Sequence, residues 1–318
     1  MVRELRALLE SDRFRGRVPS LREFLDESGL EVGDVYKSGC WSSLKRAAGV
    51  AVPASGPHEA KLGDSIERLL HVEDPLRIAA YKLAMSSAST VGLDDSTRRL
   101  LAGLHFSLMP SNLAPDTLEE SLQLLHQHPA VVEELWELLP LLDDLSEHLT
   151  YPLDEELGWN HCIPLSVHAR HSLRDVLTAF GMLTVGGSIY EQTGVFRDER
   201  TNSDLFFVTL EKSERDYSPS TLYKDYAISP TDFHWESQSG TSQQSPTGQR
   251  YIRHSSLGGH ILLFVRQKRK QDGRTMPYTF LGPADYVTHK QERPISFVWR
   301  LRRPMPAGMF REAKVAAG

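Results

Sequence analysis

Residues 217–254 hold the densest set of side chains able to grip a planar, polar ligand. Tyr223, Tyr226, Phe233, Trp235 and Tyr251 offer flat faces for stacking. Asp225, Ser237 and Gln238 can accept or donate hydrogen bonds along the edge of a base. The eleven residues from Ser239 to Gln249 include no large apolar side chain. They read as an exposed loop of small donors, Ser239, Thr241 and Ser242 among them. Arg250, Arg253 and His254 then add positive charge. Aromatic faces beside an amide and a carboxylate, next to a hydroxyl-rich basic loop, suit an unstacked base with its phosphates. Stacking contributes roughly 1–3 kcal/mol per base, and hydrogen bonds select among bases. The N4 amino group of neutral cytosine is a donor that a carboxylate such as Asp225 can accept. Taken singly, each ring reads as a core residue of a β domain with its polar tip bonded. Taken together, the cluster reads as a ligand site.

A second basic segment follows. Arg266, Lys268, Arg269 and Lys270 precede Asp272-Gly273 and come directly after an apolar run, so they read as a hairpin tip suited to phosphate. The net charge of -6 hides an asymmetry. Residues 1–150 carry 15 Lys and Arg against 24 Asp and Glu, and residues 151–318 carry 21 against 18. Residues 250–311 alone carry 13 against 3. A polyanion would be drawn to that end.

Cutting and phosphate-transfer chemistry is missing from the sequence. No GxxxxGK[ST] loop, HExxH, CxxC or GxSxG occurs. Asp204 with Glu211-Lys212 approaches a nuclease pattern, but adjacent strand residues point to opposite faces. Cys40 and Cys162 stand far apart in unrelated contexts, with no disulfide framework and no metal-ligand spacing. Two lone cysteines fit a reduced, cytoplasmic setting. The charged start Met1-Val-Arg-Glu-Leu has no apolar core of a signal peptide, and no apolar run approaches the roughly 18 residues of a membrane span. No catalytic residue, metal or cofactor is expected, and the chain is read as no enzyme on its own.

The elements that must position the cluster are strands. Val195-Phe196, Leu205–Leu210, Phe233–Ser237, Ile261–Val265, Tyr278–Leu281, Tyr286-Val287 and Ile295–Leu301 are β-rich and set off by glycine and proline. They predict a curved or barrel-like mixed β domain over 160–311. Everything before it reads as helix. Residues 1–50 predict a small module of short helices broken at Gly29, Gly39 and Gly49, with Ser20 and Ser42 as N-caps. The rhythm is that of a helix-turn-helix, but Glu23, Asp26, Glu27, Glu31 and Asp34 would repel phosphate. Residues 51–57 form a linker, and 58–150 predict a helical bundle. The fold class is therefore α+β.

Several stretches resemble a family of uncharacterised C-terminal domains. They are Leu205-Phe-Phe-Val-Thr-Leu-Glu-Lys, Tyr223-Lys-Asp-Tyr-Ala-Ile-Ser, Phe233-His-Trp-Glu-Ser-Gln-Ser, Gly248-Gln-Arg-Tyr-Ile and Tyr278-Thr-Phe-Leu-Gly-Pro-Ala. Members of that family sit behind a phospholipase-D-like nuclease and a superfamily-two helicase in type IV restriction enzymes, which attack DNA carrying methylated or hydroxymethylated cytosine. The resemblance is close over 164–306 and looser before it, where Ser28-Gly-Leu and Trp41-Ser-Ser-Leu look like the helical coupler of such enzymes. It implies an SRA- or PUA-like target-recognition domain that flips its base, with double-stranded, methylated DNA as partner and a helicase and nuclease in cis or in trans. This chain lacks both the nuclease and the helicase, so only recognition carries over. The other reading is a coupler that docks a helicase or nuclease and recognises no base itself.

Overall fold

The computed structural model describes residues 1–318 except 38, 55, 111, 114, 147, 190–193, 212–224 and 316–318. The chain divides into two units, Met1–Glu147 with Leu177–Ser188, and His148–Val176 with Ile189–Gly318. Among the described residues no helix is long and apolar enough to cross a membrane.

The first unit is helical: α1 (Val2–Glu10), α2 (Leu21–Ser28), α3 (Val32–Tyr36), α4 (Trp41–Ala48), α5 (Glu59–Ile66), α6 (Pro75–Ser86), α7 (Asp95–Leu108), α8 (Leu118–His126) and α9 (Pro129–Asp144). Ser20 caps α2 in a reciprocal box with Glu23, and Gly29 ends the helix in the left-handed region at φ 68°. Ser42 does not cap α4. The helix starts at Trp41, and its first amides donate to a carboxylate on α9: Trp41 N and Ser42 N reach Glu134 at 2.7 and 2.9 Å. One turn along α9, Glu137 accepts from Leu21 N at 2.6 Å and from Trp41 Nε1 at 3.0 Å. These bonds tie α2 and α4 to α9, and one hydrophobic core runs from Leu5 to Leu142. Residues 1–50 are therefore part of the bundle rather than a module apart. Trp41, Ser42, Leu44 and Lys45 of α4 are buried, so this face is not presented as a groove-reading helix.

The second unit is built on a sheet. It begins with β1 (Tyr151–Pro152), α10 (Leu153–Leu157), β2 (Ser166–Val167), β3 (Arg170–His171) and α11 (Leu173–Ala179), which runs across the division between the units. Then come β4 (Val195–Asp198), β5 (Ser203–Glu211), β6 (Tyr226–Ala227), β7 (Asp232–Glu236), α12 (Pro246–Ile252), β8 (His260–Lys268), β9 (Lys270–Gln271), β10 (Arg274–Thr275), β11 (Tyr278–Lys290), β12 (Ser296–Leu301) and α13 (Ala307–Val315). The eight-stranded sheet runs β4-β5-β8-β11-β12-β7-β6, with β3 added on β11. β5 and β8 are parallel, and the other neighbours on the path are antiparallel. Among the described residues the path has two ends, so the sheet is mixed as expected but is not a closed barrel.

β11 carries two irregularities of register. It pairs with β8 through its first half and with β12 through its second, and its register shifts at Phe280/Gly282 and again at Tyr286/Thr288. Such bulges bend and twist a strand. Gly282 sits at φ +93°, and a Cβ there would lie 2.9 Å from Val167 Cγ1, so both backbone and space call for glycine. Gly282-Pro283 thus marks a bend within one strand rather than a break between two. The apolar run of β5 is buried on both faces, while β7 and β12 alternate.

Candidate nucleic-acid interface

The alternation of β7 decides which of the expected rings are available. Phe233 and Trp235 face the core at 0% and 5% exposure. Trp235 stacks on Phe206 with centroids 4.1 Å apart, and it also meets Tyr251 and Phe297. Tyr251 is buried against Phe206 as well, and burial pushes its hydroxyl pKa well up. This corrects the expectation that Phe233, Trp235 and Tyr251 offer stacking faces: the curved sheet closes over them. Tyr223 lies outside the described residues.

Two expected base-reading groups close strand ends instead. Asp225 is buried, and its Oδ1 accepts the Glu236 amide at 3.0 Å. Ser237 is wholly buried, with Oγ accepting Ile295 N–H at 2.9 Å while Ser237 N donates to Ile295 O at 2.9 Å. Gln238 and Ser239 are exposed. The hydroxyl-rich stretch is less open than its composition suggests. Thr241 is buried, and Ser242 turns its carbonyl toward Ser245. Ser245 caps α12 through Gly248 N at 3.0 Å, and a Cβ on Gly248 would overlap the Ser242 carbonyl. Small residues here satisfy a tight helix entry.

The cations divide in the same way. Arg250 donates to buried Asp204 through Nε and Nη2, both at 2.9 Å, and Arg197 reaches the same carboxylate at 3.2 Å. The hydrogen bonds to Asp204 raise the Arg250 pKa. His254 is 3% exposed, and burial lowers its pKa, so it is a core imidazole rather than a phosphate ligand. Its Nδ1 lies 3.1 Å from Tyr251 O. Arg253 is exposed. β9 and β10 pair as the expected hairpin. Lys268 pairs with Glu211 at 3.2 Å, whereas Arg269 and Lys270 are exposed with no ion-pair partner among the described residues. Much of the local positive excess is met by acids distant in sequence: Glu156 on Arg303, Asp204 on Arg250, Glu211 on Lys268 and Asp232 on Arg300.

The opposite face of β7 supplies what the core withholds. Asp232, His234 and Glu236 point away from Phe233 and Trp235 and are half-buried. Tyr226 on β6 pairs in register with His234, and the two rings stack with centroids 4.6 Å apart and planes 16° from parallel. His234 Nε2 lies 2.6 Å from Ser296 Oγ on β12, which fixes the imidazole. His234 was absent from the expected set, although the alternation in Asp232-Phe-His-Trp-Glu236 places it opposite the core. The outer face of β6 and β7 thus holds a fixed stack of two half-accessible rings, with Gln238 just past the end of β7. Among the described residues no group of three His, Cys, Asp or Glu is arranged to hold a metal ion.

No curated protein matches the chain. Residues 165–313, which include β4 to β12 of the curved sheet, match the family described as a domain of unknown function, DUF3427.

Proposed function

We propose that the C-terminal unit is a DNA-binding reader of modified cytosine, 5-methyl or 5-hydroxymethyl, and serves as the recognition part of a restriction or defence system. In this reading a flipped base stacks on Tyr226 and His234, and Gln238 reads its edge. Arg253, Arg269 and Lys270 hold phosphate. The observation that carries it is the Tyr226–His234 stack, a fixed aromatic pair left half-accessible on the polar face of the sheet. Planar faces of this kind bind unstacked bases, and exposed unpaired cations bind the backbone. A strongly curved sheet around one core is also compatible with an SRA- or PUA-like domain. Recognition would then serve a nuclease and a helicase, in cis or in trans. Tyr226→Ala tests the assignment: affinity for a methylated duplex should fall roughly tenfold or more with the fold intact. Unchanged affinity would move the base elsewhere.

A second reading makes the helical unit a dock for a helicase or nuclease. Leu76 and Leu83 of α6 are exposed, as is Trp136 of α9. Leu83→Glu should leave duplex affinity unchanged if that face serves a protein, whereas a loss would tie it to DNA.

A further inference from the structure

A second aromatic cluster lies in the same unit, outside the site described above. Arg302 and Arg303, just after β12, both hold Glu156 of α10: Arg303 Nε pairs with the Glu156 carboxylate, and Arg302 Nη1 reaches the Glu156 carbonyl at 3.5 Å. Asp154 then shapes the following turn, its carbonyl accepting Trp159 N at 2.9 Å and its Oδ2 accepting Ile163 N at 2.9 Å. The turn places Trp159 against His260 at the start of β8, with ring centroids 4.7 Å apart, and against His161 at 5.3 Å. Both contacts are edge-type, so neither imidazole lies flat against the Trp159 indole. His161 is exposed, and Trp159 and His260 are half-exposed. Burial lowers the pKa of His260 and the charge of Arg302 adds to it, and the pair of Arg302 with Asp285 is long, at 3.3 and 3.4 Å, between two exposed side chains. By contrast Arg250 holds Asp204 at 2.9 Å. A guanidinium held that loosely can exchange its carboxylate for phosphate.

We propose that Trp159, His161, His260 and Arg302 form a second contact for a nucleotide of the bound strand, its base against Trp159 and His161 and its phosphate on Arg302. Indole and imidazole faces accept any base, so the contact adds affinity and register without sequence preference. The proposal rests on the reading of this unit as a DNA binder.

The test labels the full chain with 5-fluorotryptophan and titrates it with a short DNA duplex carrying one 5-methylcytosine. The chain has five tryptophans, and Trp159→Phe assigns the signal of interest. The Trp159 signal should shift on titration. Trp159→Ala and His161→Ala, each checked for an unchanged circular dichroism spectrum, should weaken binding roughly tenfold. If the duplex binds while the Trp159 signal stays fixed and both variants match the parent, the second contact is overturned and the reader remains. If the parent chain binds no duplex at all, both are overturned.

Discussion

The rings of Phe206 and Trp235 stack 4.1 Å apart and 22° from parallel, although β8, β11 and β12 separate their strands in the sheet. Curvature alone brings them together. The contact makes Trp235 a keystone of the core rather than a base-stacking residue. Trp235→Ala should cost about 3–5 kcal/mol of stability, the range for deleting a large buried ring. Urea denaturation of the wild type and the variant measures it, and a loss under about 1 kcal/mol would return Trp235 to the surface.

Gly282 carries the first of the two bends in β11. Gly282→Ala forces a side chain into the left-handed region and against Val167. It should destabilise the unit by about 1–3 kcal/mol. Thermal or chemical melting checks this, and a neutral or stabilising result would contradict the assigned bulge.

Arg250 and the hairpin cations should separate cleanly. Arg250→Ala leaves buried Asp204 with Arg197 as its remaining arginine partner, so it should cost about 3 kcal/mol of stability. Arg269→Ala with Lys270→Ala should leave stability within about 0.5 kcal/mol. That double variant should instead weaken duplex binding and lower the salt dependence of affinity by about 2 in the log–log slope.

The longer strands were legible in the sequence because their apolar and β-branched runs are local, whereas the two-residue strands β1, β2, β3 and β6 were not. The hairpin before Gly273 was legible for the same reason. The join of Tyr278–Leu281 to Tyr286-Val287 was not, since Gly282-Pro283 looks like a break until β8 and β12 are seen pairing on either side. The site was half legible. Alternation within Asp232–Glu236 separates His234 from Phe233 and Trp235, but only the curvature of the whole sheet shows which face is closed. The charge of residues 250–311 misled for a related reason. Asp204, Glu211, Asp232 and Glu156 lie outside that window and neutralise much of it in space.

The C-terminal unit should lose stability in mild acid. Burial holds the pKa of His168 down to about 4, and the first cause is the same for His254 and His260, which are also lowered. The folded His168 therefore binds its proton more weakly than the unfolded chain, whose value is near 6.5. Its contribution is fully present above that value and is lost as pH falls toward 4. It amounts to about 3 kcal/mol at most. Urea midpoints at neutral pH and near pH 5 should show the fall, and replacing His168 with Gln should reduce it.

Affinity for matched duplexes separates recognition of modified cytosine from plain phosphate binding. Two duplexes of the same sequence, one with a single 5-methylcytosine and one without, are titrated against the full chain across a salt series. A reader of modified cytosine should bind the modified duplex more tightly at every salt concentration, with both affinities falling steeply as salt rises. Equal affinities across the series would contradict it and leave only a phosphate-binding surface.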